Sequence, residues 1–365
     1  MKQYNCKNCG AVLYWNPNSS CLECEYCLTK YNISDFEQEE QIAEENAKSE
    51  IEQKFVPEQA DENMQATDES ENNDLVVYKC SNCNAEVVTS KTTIATTCAF
   101  CGEALSITNK IVNDFKPDYV VPFKITKEQA IELYKEYTKK GILTPKDFRS
   151  ENVVEKTKGM YIPFWLHSFT DKVHAVVHGE NVSSHKRGYD KVNVHDMYEF
   201  DIDAVGSFEN IPADALKYVD NKLMDSIEPF DYSNLESFSP AYMAGYYAEE
   251  YGESASQTSE RATKRADEAM SNQIIKYVTK CSNKKITSSN SNADSLTSKY
   301  TMLPVWLFHT KYKGENYVYA VNGQTGKVAG DLPISSKALA KYGVIAFAAT
   351  QVIALLLRII GAMGV

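Results

Sequence analysis

Eight of the ten cysteines form two quartets with the same spacing, and these quartets are the residues best placed to do chemistry. The members are Cys6, Cys9, Cys24 and Cys27 in the first quartet, and Cys80, Cys83, Cys98 and Cys101 in the second. Each quartet has 14 residues between its two C-x2-C pairs, and the quartets begin 74 positions apart. Two such turns can aim four thiolates at one point, the tetrahedral shell typical of structural Zn2+. The pattern predicts two zinc ribbons that hold two structural Zn2+ ions and leave no open coordination position.

Disulfide pairing is the alternative for these cysteines. The sequence starts MKQYNCKNC, without the basic and apolar regions of a secretory signal, which favours a reducing compartment and metal-bound thiolates. Cys21 aligns with Ala95 of the second copy, so we do not expect it to be a required ligand, although Cys21 and Cys24 could compete for the metal. Cys281 stands alone and is expected to be an ordinary thiol.

The net charge of −12 is concentrated in one segment. Between Asp35 and Asp74 there are fifteen acidic residues and two lysines, a net charge of −13. This composition predicts a solvated, flexible linker over residues 34–76, between a first ribbon at 1–33 and a second at 77–110. Each ribbon carries about +1, whereas nucleic-acid binders normally show a basic surface. We therefore expect the ribbons to bind protein partners.

Residues 117–335 are predicted to form a mixed α+β domain. Thr126 and Gln129 have the spacing of a capping box, which predicts a helix that ends at Gly141. Two similar stretches, at 161–166 and 302–307, each contain Pro-x-Trp and lead into alternating runs typical of strands. We interpret them as duplicated β units.

Helices are predicted between the two β units. Ser239 and Pro240 are typical of a helix start, and that helix is expected to reach Tyr251. A longer helix is predicted from Ser254 to Lys280. Its apolar residues lie four apart, at Ala262, Ala266, Met270, Ile274 and Val278. The tyrosines of the first helix are assigned to packing: Tyr242, Tyr246, Tyr247 and Tyr251.

The last 22 residues, VIAFAATQVIALLLRIIGAMGV, contain Arg358 as their one charged residue. A segment of this length and composition predicts a transmembrane helix, which we place at 343–365. An amphipathic or buried helix is the alternative. Lys337 and Lys341 precede the segment and favour a single-pass protein of the cell membrane whose N-terminal bulk is cytoplasmic. That orientation agrees with reduced cysteines.

The sequence shows no catalytic motif, and we expect no enzyme and no bound nucleotide. Gly323–Val328 has two residues between its glycines and a valine after the lysine, so it predicts a hairpin turn rather than a phosphate loop. Five of the six histidines lie between His167 and His195. On a strand, His174 and His178 would lie about 13 Å apart, too far to share a metal. An enzyme with its site among these histidines is the weaker alternative.

Several stretches together resemble bacterial membrane-associated proteins that contain zinc ribbons of the transcription-factor-IIB type. They are the cysteine ribbon, FSPAYMAGYYAEEY at 238–251, and LPVWLFHTKYKGENYVYAVNGQTGKVAGDLP at 303–333 before an apolar tail. The resemblance covers about residues 77–360, so the first ribbon and the linker look like an added copy. Such proteins are sometimes labelled as relatives of the primosomal helicase. The resemblance implies zinc and a membrane, but no catalytic role.

These features together predict a membrane-anchored cytoplasmic adaptor or scaffold that binds protein partners through its ribbons and its α+β domain. The acidic linker would tether the first ribbon and raise its local concentration near a shared partner. A nucleic-acid-binding regulator of replication or transcription is the alternative, because zinc ribbons often serve those machines.

Overall fold

The computed structural model describes the backbone of seven segments of the chain. They are residues 4–36, 75–79, 86–90, 92–97, 104–106, 116–150 and 157–362. Strands dominate the described residues and a few helices accompany them, which confirms the mixed α+β class. Most of the predicted acidic linker, and all four cysteines of the second quartet, lie outside the described residues.

Residues 4–36, here called the N-terminal module, form a small antiparallel sheet of three strands in the order β1-β2-β3. The strands are β1 (Leu13–Asn16), β2 (Cys21–Cys24) and β3 (Lys30–Tyr31), and a 3-10 helix follows at Ile33–Phe36. Phe36 is buried, with its ring 5.6 Å from that of Tyr4 and 5.7 Å from that of Tyr31. This aromatic contact closes the module at its C-terminal end.

Four short strands are described in the region of the second quartet. β4 (Leu75–Lys79) pairs with β5 (Glu86–Ser90), and β6 (Thr93–Thr97) pairs with β7 (Ala104–Ser106). β6 also joins the large sheet of the molecule. This region is therefore connected to the α+β domain by backbone pairing.

Three long strands run through the large sheet. They are β9 (Thr157–Arg187), β10 (Asp190–Asp214) and β13 (Asn283–Tyr312), and β9 pairs antiparallel with both others. The two Pro-x-Trp stretches lie on neighbouring strands, with Pro163 opposite Met302 and Pro304 opposite Tyr161. The duplicated stretches therefore belong to one sheet and do not form two separate β units.

Short strands gather at one end of this sheet. They are β8 (Tyr119–Val120), β11 (Glu236–Ser237), β12 (Tyr247–Glu249), β14 (Glu315–Asn322) and β15 (Val328–Gly330). We call this end, with residues 157–169 of β9 and 298–312 of β13, the core end. The opposite end, residues 170–207 and 283–297, is called the arm. Its tip, residues 181–196, extends past the first pairing of β13, which is Asn283 with Glu180, so there β9 and β10 pair with each other alone among the described residues.

Two of the predicted helices are confirmed. α1 (Lys127–Lys140) begins with the expected capping box of Thr126 and Gln129 and ends at Gly141. α4 (Ala255–Tyr277) lies across the arm and buries its predicted face. The buried residues of that face are Ala262, Ala266, Met270 and Ile274, which pack against alternate residues of β9. Two shorter helices, α2 (Lys146–Ser150) and α3 (Asn221–Ser226), complete the domain.

The helix predicted from Pro240 to Tyr251 is wrong. A 3-10 helix covers only Pro240–Met243, and strand β12 follows. Gly245 between them has a φ of +89°, which interrupts any helix, and Tyr247 pairs with β9. Tyr242 and Tyr246 are nevertheless buried, as the packing role required.

The C-terminal helix α5 (Ser336–Ala362) starts seven residues earlier than predicted, so Lys337 and Lys341 lie inside it. The Ser335 hydroxyl accepts a hydrogen bond from the Ala338 N–H at 3.2 Å and caps the helix. From Ser336 to Leu355 the helix is long and apolar enough to cross a membrane, and its most apolar stretch is not buried against the rest of the chain.

Candidate metal centre

The two cysteine pairs of the first quartet meet at one point. The sulfur atoms of Cys6, Cys9, Cys24 and Cys27 all lie within 4.8 Å of one another. Individual Sγ–Sγ distances are 3.4 Å for Cys6 with Cys27, and 3.5 Å for Cys9 with both Cys24 and Cys27. A disulfide needs about 2.05 Å, and these cysteines are all free thiols. Four thiols so close together could hold one metal ion.

Both C-x2-C turns have the same backbone hydrogen bonds, which explains why both point their sulfur atoms at the same site. In the first turn the Cys6 N–H donates to the Ala11 carbonyl at 2.7 Å, and the Gly10 N–H donates to the Cys6 carbonyl at 2.8 Å. The second turn, which starts at Cys24, repeats both bonds at the same sequence offsets. The sheet then holds the two turns side by side.

Each turn requires a left-handed residue immediately after its second cysteine. Gly10 occupies that position with a φ of +75°, and Leu28 occupies it with a φ of +59°. A leucine in this conformation is strained, since its Cβ crowds the following carbonyl. The corresponding residues of the second quartet are Asn84 and Gly102, both of types that adopt this conformation easily. The residue that follows the second cysteine of each turn was readable in the sequence, and its role was missed.

At Cys27, local hydrogen bonds favour the thiolate form that binds metals, whereas the pKa of Cys9 is raised. The Thr29 hydroxyl lies 3.0 Å from the Cys27 sulfur, and with the Thr29 N–H it lowers the pKa of Cys27 to about 6. Cys6 and Cys24 are buried whereas Cys9 is exposed, so the centre lies at the surface of the module.

Among the described residues, the two remaining cysteines lie outside this centre. Cys21 is buried, and its thiol donates to the Ser19 hydroxyl at 3.1 Å instead of joining the four sulfur atoms. Cys281 is buried in the arm beside Gly179. The predicted ligands Cys80, Cys83, Cys98 and Cys101 lie outside the described residues.

The histidines between His167 and His195 do not converge on one site. His167 is fully buried between Ser298 and Thr258, and burial together with Arg261 lowers its pKa to about 4. His174 and His178 lie on β9, as predicted, and each contacts its own carboxylate on β10. The partner of His174 is Asp203, that of His178 is Glu199, and that of His195 is Glu180. They form cross-strand pairs that follow the arm.

The N-terminal module packs on the core end through Trp15, which differs from the tethered ribbon expected from the sequence. The Trp15 backbone N–H donates to the Ala244 carbonyl at 3.1 Å, and its indole N–H donates to the Phe123 carbonyl at 3.3 Å. Its ring lies 4.9 Å from that of Tyr242. A module of about 30 residues cannot bury such a side chain alone, so the larger domain covers it.

In a second contact, the Tyr14 ring packs against the backbone of Gly245, the residue after Ala244. Any Cβ on Gly245 would lie 2.9 Å from the Tyr14 ring. Behind this interface, Phe123 stacks on Tyr246 at 4.1 Å and meets the Trp306 ring at 5.2 Å. The module therefore shares one aromatic core with the α+β domain.

Comparisons with known proteins identify a relative of this chain. No protein-family model matches the chain, and no solved structure matches it. The uncharacterized protein YdjG of Bacillus subtilis (strain 168) is 31% identical over 232 residues, which cover 64% of this chain and 68% of the relative. With that identity over more than two thirds of the relative, the chain belongs to the same protein family as YdjG.

Proposed function

We propose that the four-cysteine centre binds Zn2+ as a structural ion. A tetrahedral Zn2+ shell with bonds of about 2.3 Å places its sulfur atoms about 3.8 Å apart, close to the spacing in the N-terminal module. Thiolates favour Zn2+ over harder divalent cations. The shell is closed by four protein ligands, so the ion holds two turns together rather than activating water. The second quartet is expected to bind a second ion in the same way.

The function that the geometry supports best is a membrane-anchored adaptor that binds protein partners. Helix α5 leaves the molecule at the core end, where β13 ends at Tyr312, whereas the tip of the arm lies at the far end of the long strands. β9 alone has 31 residues, which at about 3.3 Å per residue corresponds to a length near 100 Å. An anchored protein of this shape would hold its tip away from the bilayer.

The exposed tip is the observation that carries this proposal. Two-stranded ribbons are marginally stable without further support, yet this one presents its apolar side chains to solvent. The exposed apolar residues of the tip and its edge are Val182, Tyr189, Val192, Val194 and Met197. Val182 and Met197 lie on one face of the ribbon, and Val192 and Val194 lie on the other. Exposed apolar side chains on a projecting ribbon are typical of protein-binding sites. The tip carries three basic and two acidic residues, which favours a protein over a nucleic acid.

The proposed orientation places the domain and the zinc centre in the cytoplasm. Lys337 and Lys341 lie in the first turns of α5, and basic residues at that end of a span favour the cytoplasmic side. A reducing compartment would also keep the four thiols available for zinc. The cell membrane is the proposed location.

A site-specific photocrosslinking experiment tests the adaptor function. A photoreactive phenylalanine analogue is placed at Tyr189 in the tip and, as the matched control, at Tyr277, which is 80% exposed at the end of α4. Irradiation of intact cells should give discrete protein adducts from position 189 and few from position 277. Absence of adducts from position 189, with the protein in the membrane fraction, would contradict the proposal.

A further inference from the structure

The base of helix α5 lies among three segments of the chain: residues 139–147, 311–315 and 331–341. The Ser335 N–H donates to the Leu143 carbonyl at 2.9 Å, which ties the start of the helix to the first segment. A cavity of about 580 Å³ opens where the three segments meet, and each contributes one lysine to its wall. These lysines are Lys146, Lys313 and Lys337.

The three segments form a basic surface in an acidic protein. They contain seven lysines and three carboxylates, a net charge of +4, whereas the whole chain carries −12. The lysines, here called the lysine collar, are Lys139, Lys140, Lys146, Lys311, Lys313, Lys337 and Lys341. Across the described residues, no carboxylate forms an ion pair with the three cavity lysines.

The carboxylates at this cavity are already engaged by tyrosines. The Tyr312 hydroxyl donates to Asp147 at 2.8 Å, and the Tyr317 hydroxyl donates to Glu315 at 2.8 Å. The ammonium group of Lys313 lies 5.0 Å from the centre of the Tyr312 ring. These contacts order the cavity wall. Asp147 also attracts Lys313 electrostatically but forms no ion pair with it, so the three lysines keep a net positive charge toward an anion.

Exposed apolar residues flank the collar. Ile142 is 69% exposed and Ile334 is 65% exposed, and they lie on two of the three segments. Leu339 and Tyr342 continue this exposed surface onto the helix itself. Apolar side chains among lysines at the root of an apolar helix match the chemistry of the bilayer interface, where acyl chains lie beneath phosphate groups.

We propose that the lysine collar binds the phosphate groups of anionic phospholipids in the leaflet that α5 enters. The proposal rests on the membrane anchoring proposed above. Because α5 fixes the collar at the bilayer surface, the lysines meet headgroups at high local density, and an anionic surface attracts each of them. The capped N-terminus of α5 adds the positive end of its dipole at the same place. Binding would set the angle at which the domain stands on the membrane.

The test uses the full-length protein reconstituted into vesicles of phosphatidylcholine alone or mixed with phosphatidylglycerol. Hydrogen–deuterium exchange is measured for peptides that cover residues 139–147 and 311–315. We expect severalfold slower exchange in the phosphatidylglycerol vesicles. A K146Q/K313Q/K337Q variant should lose this difference. The matched control, K186Q/K191Q/K285Q, removes the same charge from the arm and should keep it.

The outcomes separate this proposal from the anchoring on which it rests. Failure of the wild-type protein to float with either vesicle would overturn the membrane anchor. Flotation with equal exchange in both lipids would overturn the lysine collar. If inorganic phosphate added to phosphatidylcholine vesicles gives the same protection, the site binds a soluble anion and the lipid assignment is wrong. Unchanged exchange of α4 peptides in both variants shows that they are folded.

Discussion

The core end and the arm are built from the same long strands but differ in how those strands are buried. Along β9, nearly every residue from Gly159 to His167 is buried, because short strands, the N-terminal module and aromatic side chains cover both faces. From Phe169 to Gly179 only alternate residues are buried, under α4. In the tip even this alternation ends. Buried packing is therefore concentrated at the core end, whereas the arm leaves much of its surface exposed.

A substitution in the metal centre, at the core end, should have the largest effect. Cys24→Ser removes one of four ligands and leaves a buried hydroxyl in the shell, so the N-terminal module should lose its metal and unfold. Metal content should fall by about one ion per chain, since a tetrahedral shell requires all four ligands. Hydrogen–deuterium exchange of the backbone amides of residues 4–36 should rise to the rate of unfolded peptides, while the amides of the arm should still exchange slowly.

Cys21→Ser is the matched control, because Cys21 lies on the same strand but outside the four sulfur atoms. It should keep its metal content. If both variants lose the metal equally, Cys21 is a ligand and the geometry described above is wrong.

Trp15 connects the module to the core end, and its loss should have the next largest effect. Trp15→Ala removes a buried ring and the indole hydrogen bond to the Phe123 carbonyl, and should lower the free energy of unfolding by about 3–5 kcal/mol. The four cysteines are untouched, so metal content should not change. Limited proteolysis should release the module at lower protease concentration.

Tyr26→Ala serves as the control, since Tyr26 is 88% exposed on the same module. It should leave both the unfolding midpoint and the proteolysis pattern unchanged. Unaltered proteolysis of Trp15→Ala would show that the module does not depend on this contact.

His167 lies at the boundary between the core end and the arm and gives a smaller, pH-dependent effect. Its pKa in the folded protein is about 4, below the value near 6.5 of an unfolded chain, because burial disfavours the charged ring. The unfolded state therefore binds the extra proton first, and stability falls as pH drops from about 6.5 to about 4. The full loss would be about 3 kcal/mol.

Urea unfolding at several pH values measures this slope. His167→Gln should show less destabilisation between neutral and acidic pH than the wild type, whereas His185→Gln in the exposed tip should follow the wild type. Each variant is compared with the wild type because a second group titrates in the same range. Burial raises the pKa of Asp214 to about 6, so protonation of Asp214 raises stability as the pH falls, opposite to the effect of His167. Equal slopes in all three proteins would refute the buried, neutral His167.

The smallest expected effect concerns strain in the second cysteine turn. Leu28→Gly should raise stability by about 1 kcal/mol, since glycine accepts the left-handed conformation that costs leucine energy. Leu28 is 69% exposed, so little packing is lost. Leu28→Ala keeps the strain and should give no gain. A loss of stability in Leu28→Gly, measured by thermal unfolding with zinc present, would contradict the strained turn.

Local patterns predicted the parts of this fold that depend on neighbouring residues. The capping box of Thr126 and the apolar face of α4 use contacts within a few residues, so both were readable in the sequence. The spacing of the cysteines likewise predicted the four sulfur atoms that the structure brings together. For these elements, contacts between residues close in the sequence are enough to predict the local structure.

Long-range pairing could not be predicted in the same way. Trp15 binds the backbone of Phe123 and Ala244, more than a hundred residues away, and no periodic pattern marks such a contact. Tyr247 belongs to a strand only because β9 and β6 lie on either side of it. The pairing of β9 with β13 depends on two stretches that were recognised as similar but not as neighbours.

X-ray absorption at the zinc edge of the purified full-length protein tests the central claim most directly. We expect zinc coordinated by four sulfur atoms at about 2.3 Å, with no nitrogen or oxygen ligand. Loss of about one zinc ion per chain in Cys24→Ser but not in Cys21→Ser would assign that ion to the N-terminal module. A mixed shell with nitrogen or oxygen ligands, or a protein without zinc whose cysteines are joined in disulfides, would contradict the account.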